Sequence, residues 1–168
     1  MKRLLLPLSL LLSAALATAS ATAPGPQPKD KSLPTVFVLG EFEAQYESLS
    51  EGYQRSLLEA RDCGQKEAFG KWIGMLNEFD VYARKQNVDI RGVKLWMHVF
   101  FEADGSVEHI AYHLRPNSRQ LEADVLSPLL EGFAGQYQFP VTGPEGFAHY
   151  STGAFPVFGE LTTDAGKQ

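Results

Sequence analysis

His98, His109 and His113 lie close together in the chain, and imidazole is both a common metal ligand and the usual acid–base group near neutral pH. Their spacing argues against one shared metal. On a single extended strand His109 and His113 would stand ~13 Å apart at ~3.3 Å per residue, too far for two ring nitrogens that must each reach ~2.0 Å from one ion. His98 with one of them is feasible, because diagonal neighbours on paired strands lie ~7–8 Å apart. The plainer reading is ordinary histidines under or beside packed helices, and no metal or cofactor is assigned. His149 lies near a loop and adds nothing.

Cys63, the single cysteine, has no base beside it in the sequence and reads as a packing thiol at a helix end. It also rules out a disulfide framework and a cysteine-based zinc site. Glu41, Glu43, Glu47 and Glu51 have helical spacing and read as a solvated face, while Glu102, Asp104 and Glu108 mark no cleft that would pair catalytic carboxylates. No G-x-S-x-G elbow, phosphate loop, G-x-G-x-x-G or H-E-x-x-H is present, and Ser151-Thr152-Gly153 lacks a phosphate-loop context. The chain is therefore read as a non-enzyme.

The elements that would position these residues follow from periodicity. Phe42, Tyr46, Leu49, Tyr53, Leu57 and Ala60 form one helical stripe, weakened at Gly52, and Cys63-Gly64 should end it with a left-handed residue. A second stripe runs through Phe69, Trp72, Ile73, Leu76, Phe79 and Ala83, giving a helical hairpin over 41–87. The period then drops to two. Val93, Leu95, Met97, Val99 and Phe101 alternate with Lys94, Trp96, His98 and Phe100, which predicts a strand. Asp104-Gly105 predicts a two-residue hairpin turn and Val107–Leu114 the returning strand. Pairing Val99 with Ile110, Met97 with Tyr112 and Leu95 with Leu114 gives a continuous apolar face, so burial selects that register.

Pro116-Asn117-Ser118 predicts a helix start, followed by a stripe at Leu121, Val125, Leu129, Phe133 and Tyr137. Pro128 inside it predicts a kink or two shorter helices. A last strand is expected over about 148–158. The fold class is α+β: a β-β-α-β sheet with its first strand central, the helix on one face and the N-terminal hairpin covering the other in α/β/α layers.

The N-terminus predicts export. Lys2 and Arg3 precede a Leu/Ala run from Leu4 to Leu16, and three small-residue A-x-A frames end at Ala19, Ala21 and Ala23. Cleavage is placed after Ala21 or Ala19, since Pro24 fits poorly after the third frame. Segments are thus 1–21 signal peptide, 22–40 Pro-rich tether and lead-in, 41–87 hairpin, 88–161 β-β-α-β, and 162–168 polar tail. The whole chain carries a net charge of −5; without Lys2 and Arg3, 13 basic groups face 20 acidic ones, a net −7. That balance, with no Lys/Arg stripe, excludes nucleic acid as the natural partner, and no stable membrane insertion is expected after cleavage.

The run from Gly92 to Ile110, with Asp104-Gly105 at its turn, the Asn117-Ser118 turn, Leu121 through Leu126, then Phe139-Pro140 and Phe155-Pro156-Val157-Phe158, resembles the C-terminal domain of the TonB family over about residues 90–160. The resemblance implies a periplasmic module that adds an extended peptide or envelope protein, an outer-membrane receptor among the candidates, to a sheet edge. Here that edge would be the last strand, through Tyr150, Thr152, Ala154, Phe155 and Val157, with Pro156 removing one donor. The family's Gln-Pro-Arg receptor motif has no counterpart, so no family binding residue is carried over. Energy transducers in the family keep an N-terminal membrane helix containing His and a long Pro-rich linker; residues 1–23 contain no His and the tether is short. Two alternatives stand beside the binding module: a membrane-anchored transport component with an uncleaved N-terminal helix, and an exported enzyme working from the His98, His109 and His113 face.

Overall fold

Alternating apolar residues drive a central strand, β2 (Lys94–Phe101), which pairs antiparallel with β3 (Val107–Leu114) on one side and β4 (Phe147–Ala154) on the other. In this computed structural model, which describes residues 32–60 and 64–158, a further strand β1 (Val36–Val38) runs parallel to β3. The sheet is mixed and four-stranded, in the order β1-β3-β2-β4. The sequence reading placed β2 centrally and missed β1, a three-residue Val-Phe-Val segment following the prolines. The expected signal peptide (1–21), residues 22–31 of the expected tether and the expected polar tail (162–168) lie outside the described residues.

The register matches the apolar-face argument: Leu95 faces Leu114, Met97 faces Tyr112 and Val99 faces Ile110. The turn is different. Glu102 N–H donates to Ser106 O and Gly105 N–H to Glu102 O, so the loop is the three residues Ala103-Asp104-Gly105. Gly105 sits at φ 89°, the left-handed residue such a loop requires. The register then shifts between Phe100 and Phe101, leaving Glu108 unpaired as a bulge, and this restores the expected pairing beyond it.

The first sheet face carries Leu95, Met97, Val99, Phe101, Ile110 and Tyr112, all buried. Helix α4 (Ala123–Ala134) lies on it, with the Tyr112 and Ser127 hydroxyls 2.7 Å apart. Its buried stripe is Leu126, Leu129, Leu130 and Phe133, whereas Val125 is exposed. Of the expected stripe, Leu129, Phe133 and Tyr137 are buried, Leu121 is half-buried and Val125 faces outward, its place on the buried side being taken by Leu126 and Leu130. Pro128 lies inside a single helix rather than dividing it. Ser118 does not cap that helix; its hydroxyl instead accepts the Lys94 backbone N–H at 2.8 Å and anchors the start of β2.

The N-terminal hairpin does not form as one unit. Helix α1 (Glu43–Gly52) stops at the glycine, a short helix α2 (Leu57–Ala60) follows, and α3 (Gln65–Lys85) is long and separate. The break has a physical competitor: Arg55 O accepts the Ala148 N–H at 2.9 Å and Ser56 bridges Ala148, so this segment pairs with β4 instead of continuing the helix. Gly64 is extended (φ −61°, ψ 155°) at the start of α3, not left-handed at the end of α1; Cys63 lies outside the described residues.

Consequently the two halves of the expected hairpin serve opposite faces. Helix α3 joins α4 on the first face: Phe79 packs edge-on against Phe133 and Phe155, and Trp72 against His149, which pairs with Val99. Only α1 lies over the second face. The expectation that the whole hairpin covers that face is corrected, because α3 buries Ala68, Trp72, Met75, Leu76, Phe79 and Ala83 while α1 buries no residue. The stronger apolar stripe goes to the more apolar face.

Candidate functional site

The second face is built from alternate residues of three strands. β2 supplies Lys94, Trp96, His98 and Phe100; β3 supplies His109, Ala111 and His113; β4 supplies Ala148, Tyr150, Thr152 and Ala154. Its two ends differ. Near the hairpin turn, Phe100 and Ala111 are fully buried, and Phe37 nearly so, beneath Tyr46 and Tyr53. Tyr53 there donates its hydroxyl to the Glu108 carboxylate, and burial followed by that acidic neighbour raises its pKa. At the opposite end Trp96 is half-buried, His113 is exposed and Tyr150 is 57% exposed.

The three histidines do not converge. His98 lies in the middle of the face with Nδ1 2.9 Å from the Tyr46 hydroxyl, and burial, aided by His149, lowers its pKa to about 4. His109 uses Nδ1–H toward the Pro34 carbonyl at 2.9 Å. His113 stacks on Trp96, with ring centroids 5.8 Å apart and planes 20° apart. Among the described residues no three His, Cys, Asp or Glu groups come together in a way that could hold a metal. Neutral His98 is thus a hydrogen-bonded packing group, and His113 is half of a stacked pair.

The open end is aromatic and cationic. The Arg115 guanidinium lies 6.0 Å from the centre of the Trp96 ring, and Arg115 N–H donates to Lys94 O at 2.9 Å, so these two cations are cross-strand neighbours. Tyr150 meets His98 edge-on at 5.7 Å. Such a surface can stack, hold an anion and offer strand-edge groups.

Of the residues expected to form the binding edge, Tyr150, Thr152 and Ala154 lie together on β4 at this open end, all exposed. Phe155 and Val157 do not join them. The strand ends at Ala154, Phe155 is 3% exposed in the core with its N–H bonded to Val93 O, and Val157 is half-buried against the same core. Pro156 follows the strand and removes no ladder donor. The edge is partly occupied: Arg55 O takes the Ala148 N–H, and Trp72 Nε1–H donates to Thr152 O at 3.1 Å, which leaves Tyr150 between two covered positions. Sequence reasoning missed Lys94 and Arg115. Their signal was parity, since Lys94 shares the phase of Trp96 and Arg115 that of His113.

The fold and this face define an α+β domain with a mixed four-stranded sheet, one face sealed by two helices and the other half-covered. No protein-family model, curated protein or solved structure matches the chain. No helix among the described residues is long and apolar enough to cross a membrane.

Proposed function

We propose that the chain is an exported, non-enzymatic binding module of the cell envelope, periplasmic or secreted, that takes an extended peptide or protein segment at the open end of its second sheet face. The observation that carries this reading is the exposed Tyr150–Thr152–Ala154 row beside half-buried Trp96, on a sheet whose other face is sealed. Tyrosine and tryptophan are the side chains that contribute most to protein recognition, since each offers a large rigid surface with a polar tip. The partial occupation of the β4 edge favours docking across the face, with backbone pairing confined to Tyr150, over addition of a full strand. The succession β2, β3, α4, β4 with β4 at an edge supports a relation to the TonB C-terminal domain.

Photo-crosslinkers placed at Tyr150 and, as a control, at Val125 on the opposite side test the reading in cells fractionated for envelope and cytoplasm. Adducts with an envelope protein formed from Tyr150 and absent from Val125 are expected, on a chain whose mature N-terminus is Ser20 or Thr22. Equal labelling from both positions, or none from Tyr150, removes the proposal. An N-terminus retained at Met1 transfers it to the membrane-anchored alternative.

A further inference from the structure

We infer that the segment docked on this face is acidic, its carboxylates meeting the Lys94 and Arg115 side chains while its apolar residues lie on Trp96 and Tyr150. The inference rests on the binding-module reading and names the class of partner.

The free protein carries an electrostatic cost at this end of the face. Like charges directly opposite one another on adjacent strands destabilise a sheet, and Arg115 sits across from Lys94, bonded through its backbone N–H to the Lys94 carbonyl. Here the ion pairs among the described residues join Lys71 to Glu67, Arg84 to Asp80, and both Arg91 and Arg119 to Asp89. Neither Lys94 nor Arg115 takes part, although the chain as a whole is acidic and carries more carboxylates than cations. The strand positions of the open end, Lys94, Trp96, His98, His113, Arg115, Tyr150, Thr152 and Ala154, include no carboxylate. The acidic residue of this face, Glu108, is at the far end under Tyr53. Unpaired positive charge at the open end of this face, in an acidic chain, is complementary to a negative partner and repels other copies of its own cationic end.

The surroundings narrow the partner further. Arg115 is already held over Trp96, so its guanidinium is pre-positioned to accept a carboxylate at little entropic cost. Trp96 stacked on His113 and exposed Tyr150 supply apolar area that a bare anion would not use. Side chains on an extended segment alternate between faces, so carboxylates at every second residue would reach the cation pair while the backbone passes Tyr150. Two cations are too few to hold a nucleic acid strand, whose binding scales with the phosphates neutralised. They are likewise a weak attachment for an anionic bilayer, which is bound by larger basic clusters.

The test uses the protein as purified from cells and follows Trp96 emission against three short peptides, alternating Glu with Val, Gln with Val, and Lys with Val, plus vesicles containing phosphatidylserine. The Glu-Val peptide should bind saturably and weaken about 5-fold when salt is raised across the range in which the Debye length falls from ~30 to ~10 Å. K94Q/R115Q should weaken it about 10-fold through loss of charge-assisted hydrogen bonds, with the single K94Q between. W96F should remove the emission change, which assigns the signal to this Trp rather than to buried Trp72. Equal binding of the Gln-Val peptide, or an unchanged affinity in K94Q/R115Q, overturns the acidic partner and leaves the binding module standing. Binding of vesicles without the Glu-Val peptide also overturns it, in favour of a lipid surface. Loss of the Tyr150 crosslinks in cells instead removes the module itself.

Discussion

The two faces of one sheet are finished differently in this protein. On the first, α3 and α4 bring Trp72, Phe79, Leu126 and Phe133 against Leu95, Met97 and Val99, and every one of these is buried. On the second, Tyr46 of α1 and Tyr53 just after it lie over Phe100, while α1 buries no residue of its own and leaves the Ser50 hydroxyl buried without a partner among the described residues. Coverage follows the helix rather than the sheet. Trp96 and Phe100 are comparably apolar, yet α1 is short, carries Glu43, Glu47 and Glu51, and ends at Gly52, so it reaches one and not the other. What remains uncovered is where recognition can occur.

The comparison breaks most visibly on the sealed side. Phe79→Ala removes a ring that touches both Phe133 of α4 and Phe155 beyond β4, and should cost about 3–5 kcal/mol in urea-induced unfolding. An equal loss from Trp96→Ala would mean the second face contributes as much to stability as the first, and the asymmetry would be wrong. Next in size is Gly105→Ala. It forces an alanine into φ 89° with the new Cβ driven into the Phe139 carbonyl oxygen and 2.8 Å from that of Val141, so about 2–3 kcal/mol should be lost. That change strikes the hairpin shared by both faces, and an intermediate effect would place the turn between them in importance.

Much of the first face was legible in the sequence because burial there is strict. Leu95, Met97 and Val99 alternate without exception, and only one register puts Ile110, Tyr112 and Leu114 against them. β1 was not legible, since a three-residue strand gives too short a pattern to separate from a loop after prolines. Nor was the end of α1, where periodicity continues through Tyr53 and Leu57 but pairing of Arg55 and Ser56 with Ala148 wins over one more helical turn. At the candidate site, Tyr150, Thr152 and Ala154 could be read as one side of an edge strand. Phe155 could not be excluded from it, because the strand's end is set by tertiary contacts with Val93 and Phe79. Lys94 and Arg115 became visible only once it was known that α1 stops short of them.

Acid separates the faces by a smaller amount. His98 on the second face has its pKa lowered to about 4 by burial and by His149, and His149 on the first is lowered by burial. A histidine whose folded pKa lies below its unfolded value of ~6.5 binds fewer protons when folded, so its contribution is complete above that pH and is lost as pH falls toward 4. Discounted for the water that reaches it, His98 should account for about 1–2 kcal/mol between pH 6.5 and 4. The carboxylates held low by their partners, Asp104 and Glu59, lose their contribution at still lower pH. His98→Gln should flatten the stability profile in the upper window and leave the part due to His149. An unchanged slope would mean that His98 is already solvated and that α1 covers even less of the face than its contacts indicate.

The smallest effect is the most discriminating. Lys94→Glu replaces a like-charge pair opposite Arg115 with an opposite-charge pair, and such cross-strand changes are worth about 0.5 kcal/mol, here in the stabilising direction. A small rise in the urea midpoint with an unchanged slope would show that the native pair is a liability to the fold. The same substitution places a carboxylate where an acidic segment is to bind, so affinity for the Glu-Val peptide should fall more steeply than in Lys94→Gln. Stability and binding would then move in opposite directions at one residue. A residue kept for packing loses both together, and a neutral surface lysine changes neither, so a fall in stability or an unchanged affinity would return Lys94 to an ordinary strand position and the open end of the face to an incidental gap in coverage.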